Sequence, residues 1–156
     1  TVTYTFTNEN ELVITYVANT DKKTIINLTN HAFFSLAGLN NPTPTVDNNI
    51  VTINADYYIP IDEVSIPTGE ILKVEGTPMD FTEPHLIGEP GVQVYTANWH
   101  NGFAGYHGAT FPARSAICFE AQHFPDSPNK GHFPSVILKP EDTYHQVTIY
   151  KFGIEK

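Results

Sequence analysis

One cysteine, Cys118, stands in a chain of 156 residues, and that scarcity excludes an intrachain disulfide framework and any zinc site built from several thiolates. Basic residues are also few: Lys and Arg total 8 against 17 Asp and Glu, a formal net charge of −9. Such a balance repels a phosphate backbone or an anionic membrane surface unless a local basic patch overrides it, and no run of Lys or Arg supplies one. Nucleic acid is therefore not an expected partner, and the acidic surplus reads as solvated surface. No uninterrupted apolar segment approaches the ~20 residues of a membrane helix, and no basic stretch followed by an apolar one opens the chain. The expectation is a soluble, cytoplasmic protein without a membrane partner. Methionine is nearly missing as well. The chain begins at Thr1 and its only Met is Met79, which points to a piece of a longer gene product.

A helical period is the other thing missing, since nowhere do apolar residues recur every 3.6 positions over three turns. Alternation takes its place. Val2 to Asn8 and Glu11 to Asn19 read as a hairpin turning at Glu9-Asn10, and the second strand carries apolar residues on both faces, as in a sheet covered on each side. Further strands are expected at Thr24–Thr29, with Ile25 and Ile26 at its apolar centre, and at Ile50–Ala55, Ile71–Val74, Val92–Thr96, Ser115–Ala121, Ser135–Leu138 and His145–Phe152. Between them lie a Pro42/Pro44 loop, a corner at Asp56 to Pro60 and a turn at Pro67 to Glu70, within a total of 12 prolines and 10 glycines. About nine or ten strands without a helix imply an all-β fold, an antiparallel β-sandwich, with residues 1–156 as one domain.

Two stretches carry chemistry. His31 follows the Thr24 strand and opens an aromatic segment, Phe33-Phe34-Ser35-Leu36, that stops at Gly38; by local pattern alone it reads as a core histidine or as a functional one at a strand end. Glu120 ends the apolar run Ser115 to Phe119, on the side of Ala116 and Cys118, with Ile117 and Phe119 facing the other way. A carboxylate at the end of a buried strand needs a use or a partner, and Arg114 is the ion-pair candidate nearest in sequence. A histidine and a glutamate facing one cleft would make an acid and base pair able to shuttle protons across a hydroxyl and an ether oxygen. Cys118 itself reads as a small core residue. His100, His107, His123 and His132 lack a recognised metal-ligand spacing, and Trp99, Phe103 and Tyr106 fit either loop packing or a sugar-stacking platform.

Four stretches in the same order, Asn27 to Gly38, Thr77-Pro78-Met79-Asp80-Phe81, Gly91 to Thr96 and Cys118-Phe119-Glu120-Ala121-Gln122, resemble motifs of the galactose mutarotase (aldose 1-epimerase) family. The resemblance implies a sandwich that interconverts the α and β anomers of free galactose or glucose, with no cofactor and no metal. It implies Glu120 as the base on the C1 hydroxyl, His31 as the acid on the ring oxygen, and Asp80 and Gln93 as sugar-binding residues. Read without the family, Asp80 is a turn residue and Gln93 an exposed strand residue.

The match runs to the later part of the family's length. Nothing here corresponds to the family's earlier Asn-Arg pair or its His-Gly-Gly histidine, and Gly88-Glu89-Pro90-Gly91 joins two motifs between which the family has several more strands. Either the protein is a reduced member or the sequence omits segments. An alternative function is a non-catalytic carbohydrate-binding module on the same sandwich. A third is a glycosidase, for which Glu120 and Asp80 are the one plausible carboxylate pair. A reduced sandwich leaves strand edges open, and these would suit a homodimer.

Overall fold

The structure is a computed structural model that describes residues 1–36, 38, 41, 45–87, 96–97, 102–104 and 108–154. Among the described residues there is no α-helix. The described residues form thirteen strands, in chain order β1 (Val2–Phe6), β2 (Glu11–Ala18), β3 (Thr24–Ile25), β4 (Phe33–Phe34), β5 (Ile50–Val51), β6 (Tyr57–Tyr58), β7 (Leu72–Lys73), β8 (His85–Leu86), β9 (Phe103–Ala104), β10 (Thr110–Phe111), β11 (Ile117–Cys118), β12 (Ile137–Leu138) and β13 (Tyr144–Lys151). Every pairing is antiparallel. The all-β, antiparallel expectation is met.

Two compact units divide the chain, one from Thr1–Asn30 with Ala121–Lys156 and one from His31–Glu120. The first is built on the three-stranded sheet β1-β2-β13. The β1–β2 hairpin turns on Asn10 in the left-handed region (φ 60°), and the Thr7 hydroxyl accepts from the backbone N–H of Glu9 and Glu11, both at 3.3 Å, which fixes the register Phe6↔Leu12 through Val2↔Tyr16. On β2, Ile14 and Tyr16 are buried and pack with Leu138 and Tyr144, whereas Val13 and Val17 on the opposite face are half-buried. Coverage is thus full at the centre of one face of β2 and partial on the other.

In the Thr24–Thr29 segment the ladder is shorter than expected. Only Thr24 and Ile25 pair with β12, and Ile26 extends the pairing with one bond to the Val136 carbonyl at 2.9 Å. Ile25 is exposed and Ile26 enters the core with Leu28, so the apolar centre lies one residue later than the sequence suggests. Asn27 and Thr29, on the other side of this alternating run, clasp the chain after Glu120: the Asn27 amide exchanges 3.0 Å bonds with the backbone of His123, and the Thr29 hydroxyl donates to the Ala121 carbonyl at 3.2 Å.

The second unit holds the two-stranded pairs β4–β11, β5–β8, β6–β7 and β9–β10. Its core joins Val46, Val51, Phe81, Ile87 and Ile117, with Phe34 packed against them. Tyr57 and Tyr58, expected at a corner, pair with Lys73 and Leu72. The expected Val92–Thr96 strand lies outside the described residues except for Thr96, which is buried.

Candidate active site

His31 and Glu120 are the first and last residues of the second unit, and the pairing of β4 with β11 brings them together. Cys118↔Phe33 and Ile117↔Phe34 are the paired positions, so the residue two before Phe33 and the residue two after Cys118 leave the ladder at the same end. His31 Nε2 stands 3.1 Å from Glu120 Oε1, with side chains 48% and 27% exposed. A half-open His–carboxylate pair can give and take protons with a ligand that reaches it from solvent. The Phe33 ring lies 5.0 Å from the imidazole, centre to centre, at 60°.

The other ring nitrogen has a partner too. Cys118 Sγ lies 3.3 Å from His31 Nδ1, and the residue is buried. Burial first, then the negative charge of Glu120 and a hydrogen bond to it, pushes the Cys118 thiol up to about 11. It is a protonated thiol at neutral pH. Only about a thousandth is thiolate near pH 8, so iodoacetamide should modify the folded protein at least about 100-fold more slowly than an ordinary thiol. Removing the Glu120 charge in Glu120→Gln should speed that alkylation, measured by mass spectrometry; an unchanged rate would mean that access alone protects the thiol.

Among the described residues, His31, Cys118 and Glu120 are the group whose donor atoms lie close enough to share a metal ion, within 4.8 Å of one another. The sulfur lies nearest Nδ1 and the carboxylate nearest Nε2 of the same ring. The arrangement is a compact thiol–imidazole–carboxylate cluster in which the thiol also hydrogen-bonds Glu120.

Arg114 does not pair with Glu120, contrary to the ion-pair reading of the sequence. Its backbone is left-handed (φ 61°), its carbonyl accepts from Val46 N–H at 2.8 Å, and its guanidinium reaches Asp47 Oδ1 through Nε at 2.8 Å and through Nη2. The turned backbone sends the side chain to a carboxylate 67 positions away instead of one six positions along the strand.

Asp80 is tied into its own turn, as its local pattern suggests. Thr82 donates to Oδ1 from its backbone N–H at 3.1 Å and from its hydroxyl at 2.5 Å. The Thr82 hydroxyl, followed by the Thr82 N–H, holds the carboxyl below the usual range; burial works against them, and the Gly76 N–H and His85 add to the lowering. Thr82→Ala should therefore raise the Asp80 carboxyl toward its ordinary value in a carbon NMR titration, and an unmoved titration would remove the hydroxyl as its cause. A cavity of about 190 Å³ lies beside this turn, lined by Ile53, Ala55, Tyr57, Tyr58, Val74, Met79 and Phe81. It is an apolar pocket apart from His31 and Glu120, which do not line it. Gln93, Trp99, His100, Tyr106 and His107 lie outside the described residues, as does the side chain of Phe103.

The sequence model of the family described as aldose 1-epimerase matches residues 1–90 and 88–151. The chain belongs to the aldose 1-epimerase family. Human galactose mutarotase is 35% identical over an alignment of 197 residues that takes in 98% of this chain and 57% of the relative, and the bovine protein of the same name is 36% identical, covering 92% and 54%. A crystal structure of an aldose epimerase homologue from C. elegans superposes with a TM-score of 0.88 at 25% identity, over 97% of this chain and 58% of that one. This aldose 1-epimerase family member thus spans somewhat more than half the length of the relatives it matches. Alignments longer than the chain itself, and two matched stretches that meet at residues 88–90, put the internal shortening where Gly88 and Glu89 join the motifs.

Proposed function

We propose that this chain carries the acid–base site of an aldose 1-epimerase and interconverts the α and β anomers of a free hexose such as galactose or glucose. One observation supports the reading above the rest: His31 Nε2 and Glu120 Oε1 face each other at 3.1 Å with both side chains open to solvent. A hexose hemiacetal offers two oxygens on one carbon, a hydroxyl to lose a proton and a ring oxygen to gain one. In the forward step Glu120 takes the C1 hydroxyl proton, the bond from C1 to the ring oxygen breaks as the carbonyl forms, and His31 Nε2 delivers its proton to the departing ring oxygen. Rotation about the C1–C2 bond turns the other carbonyl face. Closure reverses both transfers and regenerates the carboxylate and the protonated ring. Protons and electrons balance within the sugar and these two residues, so the step requires neither a metal nor a redox cofactor. Asp80 and Gln93 would hold sugar hydroxyls, a role suited to a carboxylate acceptor and an amide that both donates and accepts.

Polarimetry of freshly dissolved α-D-galactose and α-D-glucose tests this reading, with faster approach to the anomeric equilibrium as the expected result. A folded chain that leaves the spontaneous rate unchanged overturns it. Sugar binding without acceleration would identify a carbohydrate-binding module, and reducing sugar released from a glycoside would identify a hydrolase.

A further inference from the structure

We propose that Cys118 is a positioning residue for His31, its thiol holding Nδ1 of the imidazole in both protonation states of the ring. The inference rests on the acid–base role given to His31 above and deepens it.

An acid that is regenerated within each catalytic cycle must keep one orientation whether or not Nε2 carries its proton. When His31 is protonated both ring nitrogens carry hydrogen, and once Nε2 has given its proton to the ring oxygen the neutral ring keeps its hydrogen on Nδ1, so Nδ1–H needs an acceptor in both states. The Cys118 sulfur supplies it, accepting from Nδ1–H while its own S–H donates to Glu120. The contact is there: Sγ lies 3.3 Å from Nδ1, and Oε1 of Glu120 lies 3.1 Å from Nε2. The S–H turns to Glu120, the hydrogen-bond partner that helps hold the thiol at about 11. That value lies far enough above an imidazole for the sulfur to keep its proton, so protons move only among Nε2, Glu120 and the sugar.

Rigidity comes from the strand. Cys118 is 5% exposed, and the register Cys118↔Phe33 fixes its backbone against that of the His31 segment. The thiol is a weak donor and a weak acceptor, so it orients the ring without binding either state tightly enough to oppose the exchange. This thiol and Glu120 are titratable groups that contact the His31 ring, and the Phe33 ring packs beside them.

The test uses Cys118→Ala and Cys118→Ser in the full chain. Losing the Nδ1 partner should lower kcat about tenfold in Cys118→Ala and leave KM within about twofold, because orientation of the acid matters more in the transition state than in sugar binding. Cys118→Ser should recover most of that loss, since a hydroxyl also donates and accepts. Stability should run the other way, because a buried hydroxyl costs more than a buried methyl, and urea unfolding should find Cys118→Ser no more stable than Cys118→Ala. If kcat follows stability, or if both variants turn over like the parent, the positioning role is wrong and Cys118 is only core. An NMR proton–nitrogen correlation of the His31 ring decides the contact without any activity: the Nδ1 resonance should move in Cys118→Ala and stay near its parent position in Cys118→Ser. An unmoved Nδ1 resonance in Cys118→Ala overturns the proposal even in an active enzyme. If the parent fails to anomerise sugar while Nδ1 responds, the catalytic reading falls and the thiol–imidazole hold stands.

Discussion

Glu120→Gln should bring the mutarotation of fresh α-D-galactose back to the rate in buffer, a loss of about a thousandfold in the acceleration, and His31→Asn should lose about a hundredfold or more. Glutamine has the shape of glutamate but cannot take a proton, and asparagine can donate a hydrogen bond but cannot give its hydrogen up. Because the two transfers belong to one concerted exchange, the double variant should be little worse than Glu120→Gln alone, as expected for groups that act as a unit. Sugar affinity should change much less than turnover. Both side chains are partly solvated, at 48% and 27%, so their ion pair adds at most about 1 kcal/mol to stability, and either variant should unfold in urea within that margin of the parent. Glu120→Gln that keeps more than about a tenth of the acceleration would remove this residue as the base.

How far the fold was legible depended on strand length. β1, β2 and β13 run for five to eight residues, long enough for alternation to show, and the hairpin at Glu9-Asn10 was placed from sequence. β4, β6, β8, β9 and β10 are two-residue ladders whose partners are distant or separated by turns, as when Val51 meets His85, and two residues display no period. Ile25 and Ile26 show the same limit at finer grain: both are β-branched and apolar, and only the partner strand decides which of them is buried.

At the site, His31 and Glu120 were found through ordered motifs, because the local pattern around each fits a core histidine or a structural ion pair equally well. Their 3.1 Å approach depends on β4 meeting β11, a contact across more than eighty residues. The Arg114 pairing failed for a related reason. Sequence distance favoured Glu120, and a left-handed backbone at Arg114 chose Asp47. Cys118 was correctly read as buried, yet burial concealed its contact with Nδ1, since a small apolar-seeming residue carries no sign of the ring beside it. The Asn27 clasp on His123 went unread as well, because a side chain that bonds backbone leaves no trace in the partner's residue type.

Ile117→Ala should destabilise the protein by about 3 kcal/mol, seen as a lower urea midpoint with the slope of the transition unchanged. Ile117 is 1% exposed and packs with Val46, Val51, Phe81 and Ile87, so the truncated side chain leaves a hole bounded by residues whose backbones are already tied down, Val51 in β5 and Val46, Phe81 and Ile87 through hydrogen bonds to Arg114, Ile53 and Asn49. Ile117→Val, which deletes one methyl, should cost about 1 kcal/mol, and Ile149→Ala on β13, where the side chain is 56% exposed, about 0.5 kcal/mol. The larger consequence is for the site. β11 is held to β4 by a ladder of two residue pairs, too short to keep its own register, and the packing of Ile117 with Phe34 in the core supplies what the ladder does not. Ile117 lies three residues before Glu120 and Phe34 three after His31, so a repacked core shifts both members of the pair at once. We expect Ile117→Ala to lose about tenfold in anomerisation at temperatures where it remains folded, with most of the loss in kcat, whereas Ile117→Val stays near the parent. Full activity in a destabilised Ile117→Ala would show that the His31–Glu120 geometry is fixed by contacts other than the β4–β11 pairing.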